Sequence, residues 1–399
     1  MKEISQLSGK AKATTAVVAA GVLVAVGAVG AAAATSGTGG SGLSVRAIAS
    51  GAKLHHVYET NGAWHTEELA GPDDITLLGR HLFVGFQNGV GPQGEAAPDG
   101  NLDSTVVEFT LSGAPVRQWD VKGKVDGLGA DPMAGEVVAT ANEDANSSLY
   151  AISPWSGQAV HYNYNEPLPH KGGTDSVVAY HGQLYISASA PGTTGAAAPQ
   201  PSYPAVYSVA LNPFTKIAHV SPVFYDESSA TALNGSHAGH AVKLGLTDPD
   251  SSEVVPFSWP RQYAGDFMLD SQGDEELIFD RPGLDGPHLS VLSLSNSVDD
   301  TAWATSGHGT LYATDNGGDT VNAVTGHFTP GTTFDAVTPC DADSAPATCP
   351  APGYPANYLA TLNLGTGKLT PVTLNGSSLH PQACCSSRDV RRCRGTCPG

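Results

Sequence analysis

Short runs of alternating apolar and polar residues, separated by turn residues, fill the chain from about residue 53 onward. The stretches STVVEFTLSGAPVRQWDV and PAVYSVALNPFTKIAHVS each hold two such runs around a turn with Gly, Asn or Pro. Alternation places successive side chains on opposite faces of a strand, and a short turn between two such runs predicts a hairpin. No long helical pattern follows the first 35 residues. The chain is therefore predicted to be all-β.

One unit recurs along the chain: an Asp, a short apolar strand, a turn with Gly or Asp, and a second strand. It is clear in GPDDITLLGRHLFVGFQNG, KVDGLGADPMAGEVVATANED, GGTDSVVAYHGQLYISASA and SVDDTAWATSGHGTLYATDNGGDTVNAV, and weaker in YAGDFMLDSQGDEELIFD. Its aspartates are Asp74, Asp126, Asp175, Asp266 and Asp300, with His380 in a sixth, truncated copy. The first three lie about 50 residues apart, the length of one propeller blade. Radially repeated four-stranded units protect the edges of their sheets.

We therefore expect a β-propeller over residues 53–382, with six blades as the best count, long loop insertions and an incomplete last blade. The insertions are the polar, Pro- and Gly-rich stretches Ser229–Pro256 and His327–Pro355. The hairpin predicted for residues 53–69 should supply outer strands to the last blade. A two-domain β-sandwich is the alternative, but it would not repeat the same Asp-containing unit.

The N-terminal residues have the layout of an export signal. Lys2, Lys10 and Lys12 precede an apolar run that ends in small residues at Ala31–Ala34. This predicts a signal peptide over residues 1–34, a flexible linker over 35–52, and a secreted, extracellular bacterial protein. A run of this length could also remain as an uncleaved membrane anchor.

All six cysteines lie late in the chain. In an exported protein Cys340 and Cys349 are expected to form a disulfide. The other four fall in a Cys- and Arg-rich tail, residues 383–399, whose composition breaks abruptly from what precedes it. We interpret this tail as out-of-frame and disordered. A zinc site is the alternative, although the tail has no paired CxxC spacing and no His.

Charge and composition limit the partners. Charged residues make up 14% of the chain, the net charge is −19, and the 47 Gly and 28 Pro suit many tight turns. Nucleic acids and anionic membranes are bound through Lys and Arg clusters, and no stretch before the Arg-rich tail resembles a basic patch. We therefore expect an extracellular ligand or protein as partner, with no nucleic acid and no membrane once the signal peptide is cleaved.

The repeats resemble a known group of propellers. SVDDTAWATSGHGTLYATDNGGDTVNAV and KVDGLGADPMAGEVVATANED are similar to the repeats of six-bladed NHL-repeat proteins and of the gluconolactonase/senescence-marker superfamily. The resemblance covers about residues 71 to 382 as a generic blade pattern. It implies that lactonase-like members hold a divalent cation, usually calcium, in the central channel. The matching ligand positions are Asp126 and either Asp299 or Asp300, whereas Asp73 and Asp74 stand near a position that the family fills with Glu.

The repeated aspartates are the candidate site. If the blades are equivalent, Asp74, Asp126, Asp175 and Asp300 ring one mouth of the channel. Clustered carboxylates raise one another's pKa unless a cation neutralises them, and Ca²⁺ accepts about six to eight oxygen ligands. These four residues are therefore the predicted metal ligands, and calcium is the predicted cofactor. The alternative is structural, because an Asp before a strand often accepts hydrogen bonds from backbone amides.

Two functions remain open from the sequence. The first is a secreted propeller that acts as an extracellular binding or scaffold module. The alternative is a calcium-dependent, lactonase- or esterase-like hydrolase with its metal in the central channel. No catalytic residue is assigned. The acidic stretch TDPDSSEV, with Asp248, Asp250 and Glu253, is interpreted as a solvated loop, with a surface calcium site as its alternative.

Overall fold

The described part of the chain is built almost entirely of β-strands. A computed structural model describes residues 42–169, 173–189, 202–257, 262–283, 286–342, 344–346, 349, 356–376 and 378–388. The predicted signal peptide lies outside these residues. Within them, no helix has the length and apolarity needed to cross a membrane. The predicted all-β class is confirmed.

Three strands precede the first repeat: β1 (Leu43–Ser50), β2 (His55–Thr60) and β3 (Ala63–Glu68). The hairpin predicted for residues 53–69 forms, but β2 and β3 make a separate two-stranded sheet. The prediction that this hairpin supplies outer strands to the last blade is therefore wrong. That place is taken by β1, which lies in the region predicted as a linker.

Three four-stranded antiparallel units follow in chain order. The first contains β4 (Pro72–Leu78), β5 (His81–Phe86), β6 (Asp103–Thr110) and β7 (Pro115–Lys122). The second contains β8 (Val125–Asp131), β9 (Glu136–Ala141), β10 (Ser148–Ser153) and β11 (Gln158–Tyr164). The third contains β12 (Val177–Tyr180), β13 (Gln183–Ser187), β14 (Pro204–Asn212) and β15 (Ile217–Tyr225). A short parallel pairing of β11 with β15 joins the second and third units into one eight-stranded sheet.

The fourth unit has six strands in the spatial order β17-β16-β21-β20-β19-β18. They are β16 (Ser229–Ala232), β17 (Ala241–Lys243), β18 (Pro249–Val254), β19 (Phe267–Ser271), β20 (Glu276–Gly283) and β21 (Gly286–Ser293). The stretch Ser229–Pro256, expected to be an irregular insertion, thus supplies the strand β18 at one edge and the hairpin β16–β17 at the other. The polar residues of β18 concealed it from the alternation pattern.

The last two units exchange chain segments. Their strands are β22 (Val298–Trp303), β23 (Gly309–Asp315), β24 (Thr320–Thr325), β25 (Thr333–Val337), β26 (Tyr358–Asn363), β27 (Lys368–Pro371), β28 (Leu374–Gly376) and β29 (Cys384–Arg388). One sheet has the order β22-β25-β26-β27 and the other β28-β1-β24-β23-β29. The hairpin β23–β24 therefore leaves the sheet of its chain neighbours β22 and β25.

The C-terminal strand lies beyond residue 382, the predicted end of the propeller. The strand β29 pairs with β23, and both Cys384 and Cys385 are buried, so the folded unit continues past residue 382 to residue 388. Residues 389–399 lie outside the described residues, and the out-of-frame interpretation stays a prediction. The expected disulfide between Cys340 and Cys349 is confirmed, with a Cα–Cα distance of 5.4 Å.

The units are arranged in a closed ring. Their first strands contact one another in the order β4, β8, β12, β18, β22 and β29, and β29 contacts β4. Apolar side chains fill the spaces between neighbouring sheets. Where the ring closes, Ile75 and Phe86 of the first unit pack in one cluster with Tyr312, Val321 and Cys385. Full burial of such a side chain stabilises the fold by about 1.5–3 kcal/mol. The chain is a β-propeller, as predicted.

Candidate functional site

Carboxylates stand at or near the start of the strands β4, β8, β12, β18 and β22. They are Asp73, Asp74, Asp126, Asp175, Asp250, Asp299 and Asp300. Electrostatic coupling links them around the ring, because Asp126 acts on the pKa of Asp73, Asp175 and Asp250. Asp73 in turn acts on Asp299. These carboxylates therefore act on one another across neighbouring first strands.

Two of these aspartates converge with Glu143, which follows β9. One oxygen each from Asp126, Glu143 and Asp175 lies within 4.8 Å of the others. The ammonium group of Lys124 is 3.1 Å from Oδ1 of Asp126 and also contacts Oε1 of Glu143. The other oxygen of Asp126, Oδ2, is buried and has no hydrogen-bond partner among the described residues. We call Asp126, Glu143 and Asp175 the carboxylate trio.

Local backbone geometry places Glu143 in the trio. Asn142, at the end of β9, adopts a left-handed conformation with φ of 72°, which Asn tolerates better than most residues. Its Oδ1 accepts a hydrogen bond from the backbone N–H of Lys124 at 3.0 Å, so the start of β8 and the end of β9 are held together. At Gly173 a side chain would overlap the carbonyl oxygen of Glu143, and only Gly permits this close approach.

A hydroxyl group fixes Asp175 against the neighbouring unit. Thr140 of β9 accepts a hydrogen bond from the N–H of Gly127 at 2.9 Å and donates its own hydroxyl hydrogen to the carbonyl oxygen of Asp175. Both units that contribute to the trio are therefore tied together by a buried side chain.

Burial dominates the electrostatics of the trio. It raises the pKa of Glu143 to about 8, with the neighbouring Asp126 adding to the effect and Lys124 opposing it. Burial also raises the pKa of Asp175 well above its usual range. Burial alone would lower the pKa of Lys124, but Asp126 and Glu143 outweigh it and raise that pKa. Three carboxylates around one ammonium group leave an excess of two negative charges when all are ionised.

The trio fits a hard divalent cation. Carboxylate oxygens are the ligands that Ca²⁺ prefers, and the excess of two negative charges matches its charge. Buried polar atoms are nearly always satisfied, so the unpartnered Oδ2 of Asp126 is an available ligand atom. Asp126, Glu143 and Asp175 are the residues that could hold such an ion.

Asp74 and Asp300, the other two predicted metal ligands, make different contacts. Asp74 accepts hydrogen bonds from the backbone N–H groups of Ile75, at 2.6 Å, and Leu128. Asp300 accepts them from Thr301 and Cys384, both at 2.7 Å. Each of these aspartates thus joins its own strand to the first strand of the next unit, as in the structural alternative. Neither belongs to the trio.

Sequence reasoning missed Glu143, although a signal was present. It follows the second strand in KVDGLGADPMAGEVVATANED, where an antiparallel hairpin returns the chain to the end at which Asp126 stands. Two of the repeat positions were placed wrongly. Asp266 precedes β19, a second strand, and forms an ion pair with Arg281. His380 is exposed, and its Nδ1 lies 2.9 Å from the carbonyl oxygen of Asn357.

The stretch TDPDSSEV is part of the channel and not a solvated loop. Asp250 lies on β18, and its Oδ2 is buried without a partner among the described residues. Burial raises the pKa of Asp250 and of Asp299 well above the usual range, and the charge of Asp299 adds to the shift of Asp250. Burial likewise raises the pKa of Glu253 to about 8.

No family model and no curated protein sequence matches the chain. Similar solved structures include the propeller domain of Myceliophteria thermophila Cps50 (Swd1), with TM-score 0.40, 9% identity, and coverage of 80% of this chain and 89% of that one. A candidate 6-phosphogluconolactonase from Bacteroides uniformis matches with TM-score 0.40 and 9% identity, over 80% of this chain and 77% of that one. A chain of a nidogen/laminin complex matches with TM-score 0.46 and 7% identity, over 86% of this chain and 98% of that one. Identities this low transfer neither a substrate nor an activity.

Proposed function

We propose that the chain is a six-bladed, extracellular binding propeller that holds a calcium ion in the carboxylate trio. Convergence of three carboxylate oxygens within 4.8 Å, beside a buried carboxylate oxygen without a partner, carries this proposal. The ring order β4, β8, β12, β18, β22 and β29 supports the blade count, with β29 as the innermost strand of the sixth blade.

The extracellular location and bacterial origin are parts of this proposal. The Cys340–Cys349 disulfide supports the location, because disulfides persist in oxidising compartments and are rare in the cytosol. The acidic composition also suits a medium in which calcium is abundant, since carboxylates on a chain of net charge −19 attract cations.

A bound calcium ion would make the channel mouth a recognition surface. With Asp126, Glu143 and Asp175 as ligands, the ion would still have open positions, because it takes about six to eight oxygens. An external ligand that carries hydroxyl or carboxylate oxygens could fill them. Lys124 would remain beside the ion as a hydrogen-bond donor to such a ligand.

Calcium titration of the purified full chain tests the proposal. We expect about one ion per chain and a higher melting temperature in calcium than in EDTA, because a ligand that binds only the folded state stabilises it. Asp175→Asn should weaken binding at least about tenfold, the usual size of one lost charged ligand. Glu59→Gln, which removes an exposed carboxylate of β2, should leave binding unchanged.

The results separate the two functions that the sequence left open. Equal calcium affinity in Asp175→Asn and in the unchanged chain would contradict the trio as the site. Calcium binding without turnover of lactones or esters is the expected result for a binding module. Hydrolysis that disappears both in EDTA and in Asp175→Asn would instead establish the hydrolase and overturn the binding-module part of the proposal.

A further inference from the structure

A second site lies at the outer edge of the fourth unit. None of its strands carries a residue of the carboxylate trio. The parallel strands β16 and β21 pair only at Thr231 with Ser290 and at Ala232 with Val291. Beside this short pairing lies a cleft of about 420 Å³, lined by both strands and by the segment that precedes β19. Clefts of about 300–1,000 Å³ are typical of small-molecule sites.

A rigid guanidinium group stands in this cleft. Arg281 of β20 donates from Nε to Oδ1 of Asp266 at 2.9 Å and from Nη2 to Oδ2 at 2.8 Å. Nη2 also donates to the carbonyl oxygen of Gln262. The Arg281 side chain is 58% exposed and that of Asp266 only 6%. The buried Asp266 therefore binds the guanidinium through two parallel hydrogen bonds. These bonds fix the orientation of the guanidinium toward the cleft.

Among the residues that the structure describes, the cleft offers hydrogen-bond donors and no unused carboxylate. Both oxygens of Asp266 are taken by Arg281, and Nη1 of Arg281 makes no hydrogen bond to the described residues. The neighbouring side chains of Gln262, His288 and Ser290 are neutral or cationic. Asp280 points to the opposite face of β20, because successive residues of a strand alternate. An anion, and not a cation, is the complementary ligand.

The charge of the cleft limits the anion. Asp266 compensates the charge of Arg281, so the lining carries at most a small positive charge on a chain of net charge −19. A dianion such as phosphate would be repelled by the rest of the molecule more strongly than a monoanion. The ring of Tyr263 stacks on Phe279 with 4.1 Å between centroids and forms a rigid wall for a carbon skeleton.

We propose that this cleft binds a small molecule with a single carboxylate, of about the size of one sugar acid. Nη1 of Arg281 donates charge-assisted hydrogen bonds to the carboxylate, while Gln262 and Ser290 contact the remaining polar groups. The site is independent of the calcium site, so EDTA does not change its affinity.

Calorimetric titration of the full chain with galacturonate, galactose and inorganic phosphate tests this. We expect saturable binding of galacturonate in the millimolar range or tighter, and weaker binding of the other two, because galactose lacks the carboxylate and phosphate carries more charge. Arg281→Gln should weaken galacturonate binding at least about tenfold, as expected for a lost charged hydrogen bond. Arg117→Gln is the matched control, because this exposed Arg contacts Pro154 and Trp119 outside the cleft.

A second variant protects the test against misfolding, because Arg281→Gln leaves Asp266 buried without its partner. Ser229→Trp starts from an exposed residue of β16, fills the cleft and keeps the Asp266–Arg281 pair. It should abolish galacturonate binding at an unchanged melting temperature. Equal binding of galactose, tighter binding of phosphate, no saturation by galacturonate, or unchanged affinity in Ser229→Trp would each overturn the proposal.

Discussion

Aspartates at two successive positions of the repeat have different roles, because Asp74 and Asp300 stand one residue later in their strands than Asp126 does in its own. Asp74 and Asp300 accept two backbone N–H groups each and join adjacent first strands. Among the described residues, no backbone N–H donates to Asp126, and its Oδ2 has no hydrogen-bond partner. The difference depends on whether an N–H of the next unit comes within reach. A carboxylate that is fully used by the backbone stabilises the ring, and one that is not remains available for a ligand.

Asp270 is a buried carboxylate whose ionisation costs free energy in the folded state. It lies on β19 with 0% of its surface exposed, and neither oxygen has a hydrogen-bond partner among the described residues. Burial raises its pKa well above the usual range, and Asp335, Asp300 and Asp248 add to the shift. At alkaline pH its charged form therefore opposes folding.

Replacing this charge should stabilise the protein. We expect Asp270→Asn to raise the free energy of unfolding at pH 8 by about 1–3 kcal/mol. The gain should shrink as the pH falls, because the carboxyl group then becomes protonated and neutral in the folded state. Urea unfolding at pH 5 and pH 8 measures this. Asp315→Asn is the control, since Asp315 is buried but bonded to the N–H groups of Gly318 and His380 and should gain nothing.

A loss of stability at pH 8 in Asp270→Asn would contradict this account. It would mean that the carboxylate has a stabilising partner, such as a bound cation.

Hydroxyl groups on second strands connect adjacent units. Thr140, Ser187 and Thr314 each accept a hydrogen bond from a backbone N–H at the start of their own unit's first strand. Each donates its hydroxyl hydrogen to a carbonyl oxygen at the start of the next unit's first strand, at Asp175, Asp250 and Asp73 respectively. The sequence contains the signal as a Ser or Thr in EVVATAN, QLYISAS and TLYATDN.

Thr140→Val tests this connection between elements. Val has the same shape but leaves the N–H of Gly127 and the carbonyl of Asp175 without a buried partner. We expect a loss of about 2 kcal/mol in urea unfolding, together with weaker calcium binding, because Asp175 is no longer held in the trio. Thr140→Ser keeps the hydroxyl and should retain the calcium affinity. Unchanged calcium affinity in Thr140→Val would show that the hydroxyl is not needed to hold Asp175 in the trio.

The last strand provides a test at the C-terminus. β29 pairs with β23 and contacts both β4 and β22, so it closes the ring. A chain that ends at residue 388 should unfold cooperatively at nearly the original temperature. A chain that ends at residue 382 should lose this transition, because the edge of β23 is left unpaired and the ring open. Equal melting temperatures would show that β29 contributes nothing to closure.

The sequence predicts hairpins well and sheet membership less well. The first three copies of the repeat form the hairpins β4–β5, β8–β9 and β12–β13, because local alternation and turn residues determine them. The pattern predicts one unit for SVDDTAWATSGHGTLYATDNGGDTVNAV, but its strands divide between two sheets. β22 pairs with β25, while β23 pairs with β24 and β29. Such pairings join residues far apart in the chain, and a local pattern contains no record of them.

The sequence predicts part of the candidate site, just as it predicts part of the strand pairing. The Asp position located the channel mouth and two members of the trio, Asp126 and Asp175. Glu143 could not be assigned, since its place depends on the left-handed turn at Asn142 and the close approach of Gly173. β18 was concealed because residues that face the channel are polar, so apolar alternation is lost where function is concentrated.

At the scale of the whole molecule, the fold concentrates negative charge around its axis. Acidic residues on first strands act on one another's pKa, while apolar clusters occupy the spaces between sheets. Hydrophobic burial between the sheets must therefore offset the repulsion at the centre. Any cation or proton that neutralises the centre is expected to stabilise the entire ring, because every unit contributes to closure.

The pH dependence of stability follows from this arrangement. Burial raises the pKa of Asp300 to about 6, of Asp335 to about 7 and of Glu253 to about 8. Since these values lie above those of an unfolded chain, near 4, the folded protein binds more protons between about pH 4 and pH 8. Stability must then fall as the pH rises through this window.

Thermal unfolding in EDTA should give a melting temperature at least about 2 °C higher at pH 5.5 than at pH 8. Calcium at pH 8 should recover part of the difference, because it neutralises the channel as protons do. A control at pH 5.5 should show a smaller calcium effect, since protons then compete for the same carboxylates. A melting temperature that is higher at pH 8 in EDTA would mean that the axial carboxylates are paired in solution, and the charged-channel account would fail with it.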